Sequence, residues 1–140
     1  MLWGPGERPL ADAVVALLRE ELRLLAAEGV EFVQFDEPVL SEVVLAGRSA
    51  TRTFMCAALA SKKDPAEELE FAVYLINKVL ADIDLKGTRV GLHICRGNWS
   101  KNESTLLEGS YAPLKPYLER LKVKQLVLEY ATERAGGGFG

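Results

Sequence analysis

Histidine and cysteine are scarce in this chain: one histidine and two cysteines among 140 residues. Two thiols, Cys56 and Cys95, are too few for the disulfide framework of a small secreted domain, so a reduced, cytoplasmic setting is expected. No apolar run approaches the ~20 residues of a membrane span, which argues against a membrane protein. The start, Met1-Leu2-Trp3-Gly4-Pro5-Gly6, lacks the basic-then-apolar form of a signal peptide. Clustered positive charge is missing too. The formal net charge is −3 with Lys and Arg scattered, which argues against nucleic acid as a partner, because phosphate recognition needs concentrated cations. There is no internal repeat. The one biased segment is Ala135-Gly136-Gly137-Gly138-Phe139-Gly140, of which residues 136–140 are expected to form a flexible tail.

What is present is the balance of a soluble globular domain with one core: 49% apolar and 26% charged residues. Leu10 to Glu28 reads as an amphipathic helix, with Val14, Leu17, Leu18, Leu22 and Leu25 at helical spacing and Gly29 as its stop. Val30 to Phe35 reads as a strand closed by Asp36-Glu37-Pro38. Residues 39–63 are expected to be a loop with a short helical piece around Thr53 to Ala60. Asp64-Pro65-Ala66-Glu67 is a helix start, and that helix is predicted to run to about Ala81, burying Leu69, Val73, Ile76 and Leu80. Arg89 to Ile94 reads as a second strand, Pro113 to Leu121 as a shorter helix and Lys124 to Glu129 as a third strand. Helix and strand alternate, which predicts a parallel α/β sheet with right-handed crossovers. Two strands are almost continuously apolar, as in a sheet covered on both faces.

Each strand ends in polar groups: Asp36 and Glu37, then His93 and Cys95, then Glu129. Parallel α/β folds collect binding groups at the C-terminal ends of their strands. His93 and Cys95, at i and i+2 on a strand, point to one face about 6.5 Å apart. An imidazole and a thiolate so placed can converge on Zn²⁺, and Glu129 from a neighbouring strand can add an oxygen ligand. Spacing alone leaves other readings open. A Cys–His nucleophilic pair is one, although such pairs usually come from different elements. Cys95 can also be a small core residue and His93 the end of a strand. Cys56, between Met55 and Ala57, reads as core. Glu129 is harder to explain as packing, since a carboxylate after Leu126-Val127-Leu128 is costly to bury unpaired. Trp99 and Tyr111 either pack over the site or cap the sheet edge.

Four stretches together resemble a known family: Gln34-Phe35-Asp36-Glu37-Pro38, His93-Ile94-Cys95-Arg96-Gly97-Asn98, Gly109-Ser110-Tyr111, and Leu128-Glu129-Tyr130-Ala131-Thr132-Glu133-Arg134-Ala135-Gly136. In order and spacing they are similar to the catalytic barrel of cobalamin-independent methionine synthase and its short relatives, in the superfamily that also holds uroporphyrinogen decarboxylase. The resemblance implies a TIM barrel and a zinc methyltransferase that carries a methyl group from 5-methyltetrahydrofolate to the thiol of homocysteine. It implies His93, Cys95 and Glu129 as zinc ligands and Asp36, with Glu37, as the substrate-binding carboxylates. It assigns no catalytic acid or base.

The chain departs from that family in two respects. The family's second cysteine ligand lies well downstream of the glutamate, where this sequence has only eleven residues, and Cys56 lies upstream. A closed barrel needs about 250 residues. Residues 1–135 are therefore expected to form a partial TIM barrel of about three strand–helix units, part of a longer chain or a piece that associates with copies of itself as a homo-oligomer. Zinc binding is expected to be weak and the isolated chain inactive. A different thiol methyltransferase of the superfamily, or a non-catalytic remnant of the barrel, are the alternatives.

Overall fold

The computed structural model describes residues 7–45, 64–96, 107–131 and 133. The first element is helix α1, Glu7–Ala27. It ends in a two-bond cap: the Val30 N–H reaches back to the Leu25 carbonyl and the Gly29 N–H to that of Ala26, with Gly29 at φ +78°. This cap corrects the predicted start of the first strand. Val30 spends its N–H on the helix end and its carbonyl on the Thr88 hydroxyl, 2.6 Å away. Strand β1 is therefore Phe32–Glu37, and Asp36 and Glu37 belong to it rather than to a closing turn.

Helix α2, Val39–Leu45, follows within what was expected to be loop. The helical piece predicted around Thr53 to Ala60, together with Cys56, lies outside the described residues, as do Trp99 and the 136–140 tail. Helix α3, Pro65–Leu80, starts as its sequence dictates: Asp64 caps it by accepting from the Ala66 N–H at 2.7 Å, and Pro65 takes the first turn. Strand β2, Arg89–Ile94, matches the expected span. The predicted Pro113–Leu121 helix is shorter and in two parts, a 3₁₀ turn at Ala112–Leu114 running into helix α4, Lys115–Leu118. Strand β3 is Gln125–Leu128.

The three strands form one parallel sheet in the order β1-β2-β3. Register fixes the two faces. Phe35, Leu92 and Leu126 share one face, and Ile94 and Leu128 continue it. That face is roofed by Leu40 of α2, Leu69 and Val73 of α3, and Tyr111, Leu114 and Leu118 around α4, which form the core. Truncating a fully buried member such as Leu92 or Ile94 to alanine would cost about 2–5 kcal/mol.

The opposite face carries Gln34 and Asp36, then Gly91 and His93, then Gln125 and Val127. Among the described residues no helix covers it, which corrects the expectation of a sheet covered on both sides. Phe32 leans across it instead. Its ring would lie 2.6 Å from a Cβ on Gly91, so glycine is what lets the ring settle on β2.

Helix α1 packs on α3. The Arg19 guanidinium caps the carboxyl end of α3, donating to the carbonyls of Lys78 at 2.8 Å and Ala81 at 2.5 Å. Val15, Leu22 and Ala26 of α1 are buried. Leu10, Val14 and Leu17 of the same helix stay exposed, Leu17 at 71%. Beside this stripe, an apolar cleft of about 690 Å³ lined by Val14, Leu18, Phe35, Ile76 and Leu80 opens between α1, β1 and α3. No described helix is long and apolar enough to cross a membrane.

Candidate metal centre

Strand alternation and parallel register bring three unlike donors to the carboxyl edge of the uncovered face. His93 is in β2, Cys95 one residue past its end, and Glu129 one residue past the end of β3. One ligand atom from each, an imidazole nitrogen, a thiol sulfur and a carboxylate oxygen, lie within 4.8 Å of one another. All three side chains are half-buried.

The donors are held by contacts that the ion itself would not make. Nδ1 of His93 lies 3.0 Å from the Val127 carbonyl oxygen. A carbonyl can only accept, so Nδ1 is the donor here and Nε2 is the nitrogen on the side of the other two ligands. Nε2 faces Glu129, 3.4 Å from Oε1. This is how protein-bound imidazoles are oriented for metals, with the outer nitrogen tied to an oxygen and the inner one open. Cys95 is fixed through its backbone. Its N–H donates to the Glu37 carbonyl at 3.3 Å, and its own carbonyl accepts from the hydroxyl of the fully buried Ser41. Glu129 is tied by its backbone to the Tyr111 hydroxyl, with the N–H donating at 3.0 Å.

Glu129 Oε1 is itself buried and accepts no hydrogen bond among the described residues. A carboxylate oxygen in that condition costs free energy unless something positive meets it. With a nitrogen and a sulfur donor beside it, the set suits zinc, which takes N, S and O ligands, and three protein ligands with one position to spare is the catalytic pattern. The residues fit the ion that the sequence pattern implies.

The two predicted substrate carboxylates separate. Asp36 is opposite His93 in the β1–β2 register and therefore on the same face; it is exposed and accepts from Gln34 Nε2 at 2.9 Å. Glu37 is opposite Ile94 and points to the helix-covered side. There its carboxylate accepts the Leu40 N–H at 2.7 Å and holds the start of α2. Burial pushes the Glu37 carboxyl above the ordinary glutamate value, partly offset by the N–H groups of Leu40 and Val39.

Ser41 bears on the site through the Cys95 carbonyl without any sequence signal that assigns it, because a backbone partner leaves no side-chain pattern to read. Arg96 and Tyr111 lie in stretches that the sequence singled out, but nothing there assigned the hydrogen bond between them or its link to Glu129.

No family model matches the chain, and no solved structure matches it. Two curated proteins are similar. The methionine synthase of Pyrococcus furiosus is 26% identical over 127 residues, covering 91% of this chain and 27% of that protein. The methionine synthase of Pyrococcus horikoshii is 25% identical over 130 residues, covering 93% of this chain and 28% of that protein. The chain is thus similar to these two methionine synthases along most of its own length and spans little more than a quarter of theirs.

Proposed function

We propose that this chain is the zinc-site portion of a methyltransferase of the methionine synthase type, which moves a methyl group from a methylated folate to the thiol of homocysteine. The observation that carries the reading is the convergence of His93 Nε2, Cys95 Sγ and the Glu129 carboxylate, with Nε2 left open by the hydrogen bond on Nδ1. Similarity to the two Pyrococcus methionine synthases over nine-tenths of the chain supports the same assignment. In this reading the three strand–helix units are three of the eight of a TIM barrel, and the uncovered sheet face is the barrel interior.

His93, Cys95 and Glu129 hold the zinc. When bound, zinc lowers the pKa of a thiol that joins it, so that a nucleophilic thiolate is available to the methyl carbon at neutral pH. Asp36, on the same face beside His93, receives the amino group of the amino-acid substrate. Glu37 supports from behind, keeping α2 and hence Ser41 in place under Cys95. Val127 and Ser41 keep two of the donors from turning away. With one thiolate in the set rather than two, zinc binding is weak and is lost on chelation. The 140 residues alone give no methyl transfer, because the donor-binding parts of a whole barrel are not among them. In isolation the open sheet edges and the outer face of α1 favour self-association.

The test is elemental analysis of protein purified without chelator, beside Cys95→Ser. Substoichiometric zinc in the parent and markedly less in the variant is expected. Equal zinc in both would remove the site from this reading.

A further inference from the structure

We propose that Arg96 and Tyr111 are positioning residues for Glu129, forming a brace at the end of β3. The proposal rests on the metal-site reading of His93, Cys95 and Glu129 and adds to it the device that aims the third ligand.

Glu129 needs such a device. It lies one residue beyond the end of a four-residue strand. Strand ends of this kind fray, and a carboxylate carried on a fraying backbone has no fixed direction. Here the backbone is fastened by one hydroxyl. The Tyr111 O–H donates to the Glu129 carbonyl at 3.3 Å and accepts from the Glu129 N–H at 3.0 Å. A third bond arrives from Arg96 Nε at 3.0 Å. One donor and two acceptor sites are all that a phenolic hydroxyl has, so this one is saturated with a single geometry.

The hydroxyl is held from the other side as well. Tyr111 is 1% exposed and the Arg96 side chain lies against its ring, with the guanidinium carbon 4.2 Å from the centroid. Arg96 is 4% exposed, and its remaining nitrogens donate to the carbonyls of Leu107 at 3.1 Å and Gly109 at 2.7 Å. Its own carbonyl accepts the Leu107 N–H at 3.0 Å. A buried guanidinium must have its N–H groups met by oxygens, and here three of them are met by groups on either side of the site. What the arrangement obtains is rigidity. The residue after Cys95 is locked to the hydroxyl that fixes Glu129, so two ligands on different strands are referenced to one another through the brace.

The experiment uses Co²⁺ alone as the probe, because its thiolate charge-transfer band reports Cys95 and its d–d bands report geometry. The variants are Tyr111→Phe, Arg96→Lys, Glu129→Gln and the double variant Tyr111→Phe/Glu129→Gln. Tyr111→Phe keeps the ring in the core and removes only the hydroxyl. It is expected to bind Co²⁺ about tenfold more weakly while keeping the thiolate band, in the range seen when outer contacts of metal ligands are lost. Arg96→Lys, which retains charge but not the fork, is expected to weaken binding in the same direction. In the Glu129→Gln background, losing the hydroxyl is expected to cost no further affinity, since the hydroxyl acts through Glu129. Parent-like affinity in Tyr111→Phe overturns the brace, and so does an additive loss in the double variant, which would mark a general packing role. A parent protein that binds no Co²⁺ overturns the metal-site reading itself and the brace with it; a parent that binds with Tyr111→Phe unchanged leaves the metal site standing and removes only the brace.

Discussion

His93 Nδ1 lies 3.0 Å from the carbonyl oxygen of Val127, its register partner on β3. One backbone oxygen thereby sets which nitrogen of the protein's single histidine is free. The prediction is spectroscopic and unambiguous in assignment. Long-range ¹H–¹⁵N correlation at neutral pH should show the Nδ1-protonated tautomer, and added Zn²⁺ should move the Nε2 resonance and not the Nδ1 one. A dominant Nε2-protonated form would mean that the imidazole presents the wrong atom to Cys95 and Glu129.

Ser41→Ala removes the hydroxyl that donates to the Cys95 carbonyl in a fully buried position. Leaving that carbonyl without its donor should lower stability by about 1–3 kcal/mol, read from denaturant unfolding at unchanged m-value. Zinc affinity should fall as well, since the ligand's backbone loses a fixed point. A variant as stable as the parent would show that this hydrogen bond carries no weight.

Glu37 gives a pH signature. Burial raises its carboxyl pKa in the folded protein, so between the unfolded and folded values the folded state binds more protons. Its contribution to stability is fully present below the ordinary glutamate pKa and is lost as pH rises through the raised one. Glu37→Gln is neutral throughout and still offers an oxygen to the Leu40 N–H. Its Tm should exceed the parent's at pH 7 and converge with it towards pH 4. A Tm below the parent's at pH 7 would show that the charged carboxylate is favoured by its two N–H donors after all.

The outer stripe of α1 predicts association. Leu10, Val14 and Leu17 are exposed along one side of the helix. Light scattering of the purified chain should show dimers or larger species at micromolar concentration. Leu17→Glu should shift the population towards monomer without lowering Tm, because Leu17 makes no core contact. Unchanged mass in the variant would place the association elsewhere.

How far the sequence could be read depends on where each signal resides. Arg89 to Ile94 was legible because a central strand buried on its core side is apolar and is bounded by turn residues. His93 and Cys95 were legible because strand period alone puts i and i+2 on one face. Glu129 stood out as a carboxylate after three apolar residues. The shifted start of β1 was not legible, since it depends on whether Val30 serves the helix cap or the sheet. Nor was the orientation of α1. Its leucines repeat at helical spacing on more than one side, and periodicity does not say which side meets α3. The role of Ser41 and the partner of Tyr111 were beyond reach for a different reason: these hydroxyls meet backbone atoms 54 and 18 residues away. The helix cap at Asp64 was the reverse case, a local device complete within three residues.

The parallel pairing of β1 with β2 also limits how this gene can change length. Asp36 faces the site and Glu37 the core only because Phe32 pairs with Arg89 and each later residue follows in step. Inserting or deleting a single codon within either strand would invert every side chain beyond it, turning a carboxylate into the core and a core residue out beside His93. The same change between Leu45 and Asp64 falls outside both strands and leaves that alternation intact. Length variation in descendants of this gene should therefore accumulate in the connections, with the strands passing only substitutions, and a saturation library of one-codon insertions read out by zinc retention would map the boundary residue by residue.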